Sequence, residues 1–187
     1  MQKKSLPLGH ADFKELINQD LYYVDKTGLI KEIIDTQSKI MLFTRPRRFG
    51  KSLLMSTIKA YLSGKKELFN GLAIEQLEKD WVEYPVLHLD LNTERYDTTA
   101  SLEKKLDANL KLWESKYPTG YEGYSLGIRF ERVIEAAYEK TGQRVVILVD
   151  EYDKPLLDPL GEKQEIINRE ILRGFYGTFK AADAHLR

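Results

Sequence analysis

Residues 40–54 read IMLFTRPRRFGKSLL, and no other stretch restricts the architecture so strongly. A nearly continuous apolar run, of the kind buried on both faces of a sheet, leads into a turn carrying Gly50, Lys51 and Ser52. The turn opens directly into an amphipathic helix. That order is what a phosphate-binding loop requires, because the N–H groups of a helix's first turn lack partners within the helix and lie at the positive end of its dipole. In such a loop Gly50 allows close approach of an anion, Lys51 reaches the β and γ phosphates, and the Ser52 hydroxyl ligates magnesium. The general pattern also places a glycine five positions before Gly50, where this chain has Arg45. A side chain there stands where the loop begins to wrap. The competing reading is a strand-to-helix turn with a solvated basic cluster of Arg45, Arg47, Arg48 and Lys51.

Residues 144–153, RVVILVDEYD, supply a second element, an apolar run ending in Asp150 and Glu151. Ligands of open α/β sheets bind at the carboxyl ends of the strands, so two carboxylates there suit an aspartate that helps hold magnesium and a glutamate that polarises an attacking water. A third apolar run, VLHLDL at 86–91, lies between the two.

Helical spacing fills the intervals. Leu54, Ile58, Tyr61 and Leu62 form one stripe, ending at Gly64. A second runs through Leu102, Leu106, Leu110, Trp113 and Tyr117 after the candidate caps Thr98 and Thr99, and a third through Phe130, Val133, Ile134, Ala137 and Tyr138 to Gly142. A fourth runs through Ile167, Ile171, Phe175 and Phe179. Asp12 and Thr27 are placed to cap short helices at 13–17 and 29–34. Three strands, 40–44, 86–91 and 145–149, alternating with helices predict an α/β fold with a mostly parallel sheet and helices on both faces.

With 187 residues the chain can bury one core of ordinary size, and no linker, repeat or low-complexity tract divides it. A single domain over 1–187 is expected, with a helical extension at 1–38 and the core at 39–187. Twenty-nine basic residues balance twenty-nine acidic ones, which removes any charge-based case for nucleic-acid or membrane-surface binding. The absence of cysteine excludes disulfides and thiolate chemistry, and the three histidines (His10, His88, His185) have no metal-ligand spacing. MQKKSLPLGHADFKEL contains no apolar span, so neither a signal peptide nor a membrane anchor is read there, and a cytoplasmic location is expected.

RPRRFGKS and VDEYDKP, together with LPLGHADFKEL, YYVDKTGLI and YPVLHLDL, resemble the bacterial and archaeal AAA-ATPase-like family over essentially the whole chain. In that family the loop begins with arginine and proline, so Arg45 reads as a family feature. The resemblance implies a P-loop NTPase fold with Arg45, Pro46, Arg47, Arg48, Phe49, Gly50, Lys51, Ser52 and Leu53 on the nucleotide, Ser52 and Asp150 on Mg2+, and Glu151 as catalytic base. Adenine as the base, and hence ATP, rests on the resemblance. Family members often carry a PD-(D/E)XK nuclease-like domain further along, so such a domain is the expected partner and nucleic acid is expected only through it. A further core strand follows the Asp-Glu strand in the family, and no apolar run remains after AADAHLR, so the core is expected to stop before that strand. The function expected is Mg2+-dependent ATP binding and hydrolysis within a larger protein. The alternative is a regulatory or interaction module that binds nucleotide without hydrolysis. A phosphotransferase is disfavoured by the lack of a separate acceptor motif.

Other features carry less. Glu103 and Lys105 follow Asp90 with a nuclease-like spacing but fall on a helical stripe. Arg129, Arg132, Arg169 and Arg173 read as ion-paired helix residues before they read as γ-phosphate sensors. Tyr22 and Tyr23 are placed either to flank an adenine ring or to pack on the core.

Overall fold

The computed structural model describes residues 4–36, 38–44, 46 and 49–187. The chain is α/β and divides into two units, one running to Val86 and taking in Arg187, the other spanning Leu87–Leu186.

The first unit is helical. It holds α1 (Phe13–Asn18), α2 (Thr27–Asp35), α3 (Lys51–Leu62), a 3-10 turn at Lys66–Phe69, and α4 (Ala73–Leu77). Asp12 caps α1 by accepting the Glu15 N–H at 2.9 Å, as the sequence predicts. Phe13 and Phe69 are fully buried with ring centroids 4.9 Å apart, and Tyr23, Tyr61 and Trp81 close around them. Gly64 follows α3 at φ 65°, where a Cβ would meet the Glu83 backbone at 3.3 Å, so both conformation and space demand glycine.

Asp25 and Thr27 fasten α2 to α4. Asp25 accepts the Thr27 N–H at 2.8 Å, the Thr27 hydroxyl at 2.7 Å and the Ala73 N–H at 2.7 Å, while the buried Thr27 hydroxyl accepts the Ile74 N–H at 3.1 Å. The DKT stretch is therefore a double helix cap, with Thr27 the first residue of α2 rather than its cap. Partial burial pushes the Asp25 carboxyl up, but the Ala73 and Thr27 donors outweigh it and hold the pKa below its ordinary value. A carboxylate depressed in the folded state stabilises above its unfolded pKa, near 3.9, and loses that contribution as pH falls through the folded value. Acid titration of the first unit's stability should show a loss below about pH 4 that Asp25→Ala lacks. That variant should also be weaker by about 0.5–2 kcal/mol at neutral pH, as for a lost cap.

The second unit carries the sheet. Strand β1 (Val86–Asp90) and strand β2 (Val146–Asp150) pair in parallel, joined by a crossover through α5 (Thr99–Lys116) and α6 (Leu126–Thr141); α7 (Lys154–Leu157), α8 (Lys163–Ala181) and a 3-10 turn at Asp183–His185 follow. Leu91 N–H donates to the Asp150 carbonyl at 3.1 Å, which in a parallel ladder sets residue 90 beside 150 and 89 beside 149. Leu87, Leu89 and Leu91, with Ile147 and Val149, face one core together with Leu102, Leu106 and Leu110 of α5 and Phe130, Val133 and Ile134 of α6. Phe130 stacks between Trp113 and Phe175, at 5.4 and 4.3 Å. Thr98 and Ser125 cap α5 and α6, and Gly142 ends α6 at φ 66°.

Two expectations are corrected. Residues 40–44 form no strand: among the described residues no ladder pairs them, and Ile40 and Leu42 are 89% and 65% exposed. An apolar run becomes a strand only where a neighbour takes its N–H and C=O groups, so the sheet of the described residues has two strands, not three. Within the second unit α5, α6 and α8 share one core with the leucine face of that sheet. On α8 Phe175 is buried and Ile171 and Phe179 pack against the core as the stripe predicts, but Ile167 is 43% exposed and Asn168 takes the inward position, held by the Tyr96 and Pro155 carbonyls at 2.9 and 2.8 Å. The 1–38 and 39–187 division stays an expectation. Among the described residues no helix is long and apolar enough to cross a membrane.

Candidate functional site

The glycine-lysine-serine turn stands at the start of α3. Gly50 takes φ 73°, ψ 25°, a left-handed conformation, and its carbonyl accepts the Leu54 N–H at 2.9 Å, which starts the helix. A Cβ at Gly50 would meet nothing within 4 Å, so glycine is required by the backbone angle and not by crowding. Gly50 offers no side chain to cap α3, and the first-turn amides of a helix lie at the positive end of its dipole, where anions bind. Lys51 and Leu53 are half-buried; Ser52, Gly50, Pro46 and Phe49 are exposed, and Phe49 N–H donates to the Pro46 carbonyl at 3.3 Å. Arg45, Arg47 and Arg48, also expected on the nucleotide, lie outside the described residues. Thr57, Ile58, Ala60, Tyr61 and Leu62 bury the far half of the helix, and Ser56 Oγ accepts the Phe13 N–H at 2.8 Å. The turn therefore projects from a helix that is anchored behind it.

The carboxylates stand together in the second unit. Asp150, 7% exposed, ends β2, and its Oδ1 accepts the Glu151 N–H at 3.0 Å. Glu151 is half-buried and has φ 52°, a left-handed conformation that a residue with a Cβ rarely adopts. The register places Asp90 beside Asp150 on the face opposite the leucines, with Asp90 Oδ1 accepting the Asn92 N–H at 2.8 Å. Sequence reasoning left Asp90 at the sheet edge without a role; the usable signal is an aspartate near the carboxyl end of both the 86–91 and the 145–149 runs.

Hard oxygen donors of this kind fit Mg2+, which commonly takes one or two protein carboxylates and completes its shell with phosphate and water. Among the described residues no three acidic or histidine side chains gather as an all-protein metal cage.

Tyr23 packs on Phe13 with centroids 5.2 Å apart, while Tyr22 is exposed. Arg129 is buried against Glu114 and Asp107, and Arg132, Arg169 and Arg173 pair with Glu135, Glu165 and Glu170 on their own helices. Glu103 and Lys105 lie on α5.

Comparison with known proteins agrees with the resemblance. A family model described as "Predicted AAA-ATPase" matches residues 7–187. The chain is 38% identical over 192 residues to an uncharacterized protein in the vnfD 5' region of Azotobacter chroococcum mcd 1, with all of this chain and 36% of that relative aligned. The chain thus spans about a third of the relative's length. No solved structure matches. A family model covering nearly the whole chain, from before α1 to the last residue, shows that the protein belongs to the AAA-ATPase-like family.

Proposed function

We propose that the chain binds Mg2+-ATP through residues 45–53 and hydrolyses it with Glu151 as base, as the nucleotide-driven part of a longer protein. The observation that carries this reading is the start of α3, where a left-handed Gly50 leads directly into Lys51 and Ser52 on a helix anchored by its far half. First-turn amides and the Lys51 ammonium would bind the phosphates, and Ser52 and Asp150 are each proposed as a residue that would hold the metal. Magnesium, when bound, neutralises charge that develops on the phosphate oxygens. Glu151 accepts the proton of the attacking water. The family description supports ATP as the nucleotide.

Equilibrium binding of ATP and GTP with magnesium, on the parent and on Lys51→Ala, tests the reading. A hydrogen bond to a charged group contributes about 1.5–3 kcal/mol, so the variant should bind Mg2+-ATP roughly tenfold to 150-fold more weakly while remaining folded. Equal affinity in the folded variant would remove the phosphate-loop assignment.

A further inference from the structure

We propose that Lys154 is a positioning residue for Glu151, tethering the turn after β2 so that Glu151 stays in its left-handed backbone conformation. The catalytic consequence rests on the base role proposed for Glu151; the conformational one does not.

A left-handed conformation is unfavourable for a residue with a Cβ, and such conformations persist only where the surroundings over-determine them. Here the turn is held on both sides. Asp150 Oδ1 accepts the Glu151 N–H at 3.0 Å, and the Glu151 carbonyl accepts the Lys154 N–H at 3.0 Å. From that closing position the Lys154 side chain reaches across to the loop that follows β1. Its Nζ donates to the Glu94 carbonyl at 2.8 Å and to Asp158 Oδ2 at 2.6 Å, and it lies 5.5 Å from the centre of the Tyr96 ring. Asp158 Oδ2 also accepts the Tyr96 N–H at 3.1 Å. Fully buried Asn168 completes the fastening by donating to the Tyr96 and Pro155 carbonyls. The loops leaving β1 and β2 at one edge of the sheet are therefore one bonded assembly, and Lys154 is the side chain whose main chain closes the Glu151 turn while its ammonium grips the other loop. Replacing the ammonium with an apolar end would leave the Glu94 carbonyl without its donor and Asp158 without its cation, and the turn would lose its anchor.

Glycine and alanine at position 151 both remove the carboxylate, so their difference reports only the backbone there. In the parent background Glu151→Gly should be more stable than Glu151→Ala, with an unfolding constant about two- to fivefold smaller, because glycine accepts positive φ. In a Lys154→Met background the turn relaxes and the order reverses, since alanine is then favoured by its smaller unfolded-state entropy. Denaturant unfolding of the full chain, read by hydrogen exchange in α5 and α8, measures all four variants; Lys154→Gln replaces Lys154→Met should the latter not fold. An unchanged glycine preference in both backgrounds overturns the tether. In the ATPase assay Lys154→Met should lower kcat about tenfold to hundredfold with KM for ATP unchanged, and Lys154→Arg should recover most of it. A reversed stability order with an unchanged kcat would uphold the tether and overturn the base role of Glu151.

Discussion

Arg129→Ala should destabilise the second unit by about 3–5 kcal/mol, a large share of the 5–15 kcal/mol that holds an ordinary domain together. Arg129 on α6 is 4% exposed and Glu114 on α5 is 6% exposed. The guanidinium donates through Nε and Nη2 to both Glu114 oxygens at 2.8 and 2.7 Å, and through Nη1 to Asp107 at 2.6 Å. Hydrogen bonds to Glu114 outweigh desolvation and raise the Arg129 pKa, so the side chain is charged at every accessible pH. Removing it strands a buried carboxylate, and that uncompensated charge, more than the lost attraction, sets the size of the effect. Arg129→Lys should recover only part, because an ammonium cannot match the two-pronged geometry. Arg129→Met combined with Glu114→Leu should return close to the parent, since replacing both charges removes the desolvation cost along with the attraction. Chemical denaturation of Arg129→Ala, Arg129→Lys and the double variant measures these effects, and a double variant no more stable than Arg129→Ala would reduce the effect to simple loss of packing and sink the explanation.

How far the chain could be read in advance differs between its two kinds of element. Helices α5 and α6 were legible because Leu102, Leu106, Leu110 and Trp113, and Phe130, Val133, Ile134 and Ala137, repeat at helical spacing and are all buried. The stripe of α8 was legible at Ile171, Phe175 and Phe179 and misread only at its first position, because hydropathy favours Ile167 over Asn168, and an asparagine belongs inside only once two backbone carbonyls are there to receive it. The run at 86–91 was legible as a strand because its leucines alternate with more polar residues, and alternation records a local face. The run at 40–44 is just as apolar, but pairing depends on a neighbour that no local pattern encodes. At the candidate site, residue types and their order at 50–52 and 150–151 could be read directly. The left-handed angle of Glu151 and the reach of Lys154 to Glu94 could not, since the first contradicts side-chain preference and the second joins residues 60 positions apart.

Glu151→Gln should slow ATP hydrolysis by about 10²–10⁴-fold while leaving ATP bound, the largest separation of binding from turnover that one substitution in this chain should produce. Glutamine has nearly the volume of glutamate and the same tolerance for the backbone, so the turn held by Asp150 and the Lys154 N–H should keep its shape. What changes is the proton chemistry: a carboxylate accepts the proton of water and an amide does not. Asp150→Asn acts on a different term. It removes half the negative charge that the two neighbouring aspartates at the sheet edge offer a cation, so its effect should appear as a higher magnesium requirement and not as a lost proton acceptor. Single-turnover phosphate release in the full-length protein, at saturating ATP and across a magnesium titration, measures both variants beside Lys51→Ala. The hydrolytic reading requires Glu151→Gln to be slow at every magnesium concentration and Asp150→Asn to recover as magnesium rises. A nucleotide-binding module that does not hydrolyse would give a parent as inert as Glu151→Gln, with binding still sensitive to Lys51→Ala. Hydrolysis by Glu151→Gln at the parent's rate would remove Glu151 from the chemistry and leave the water to be activated elsewhere.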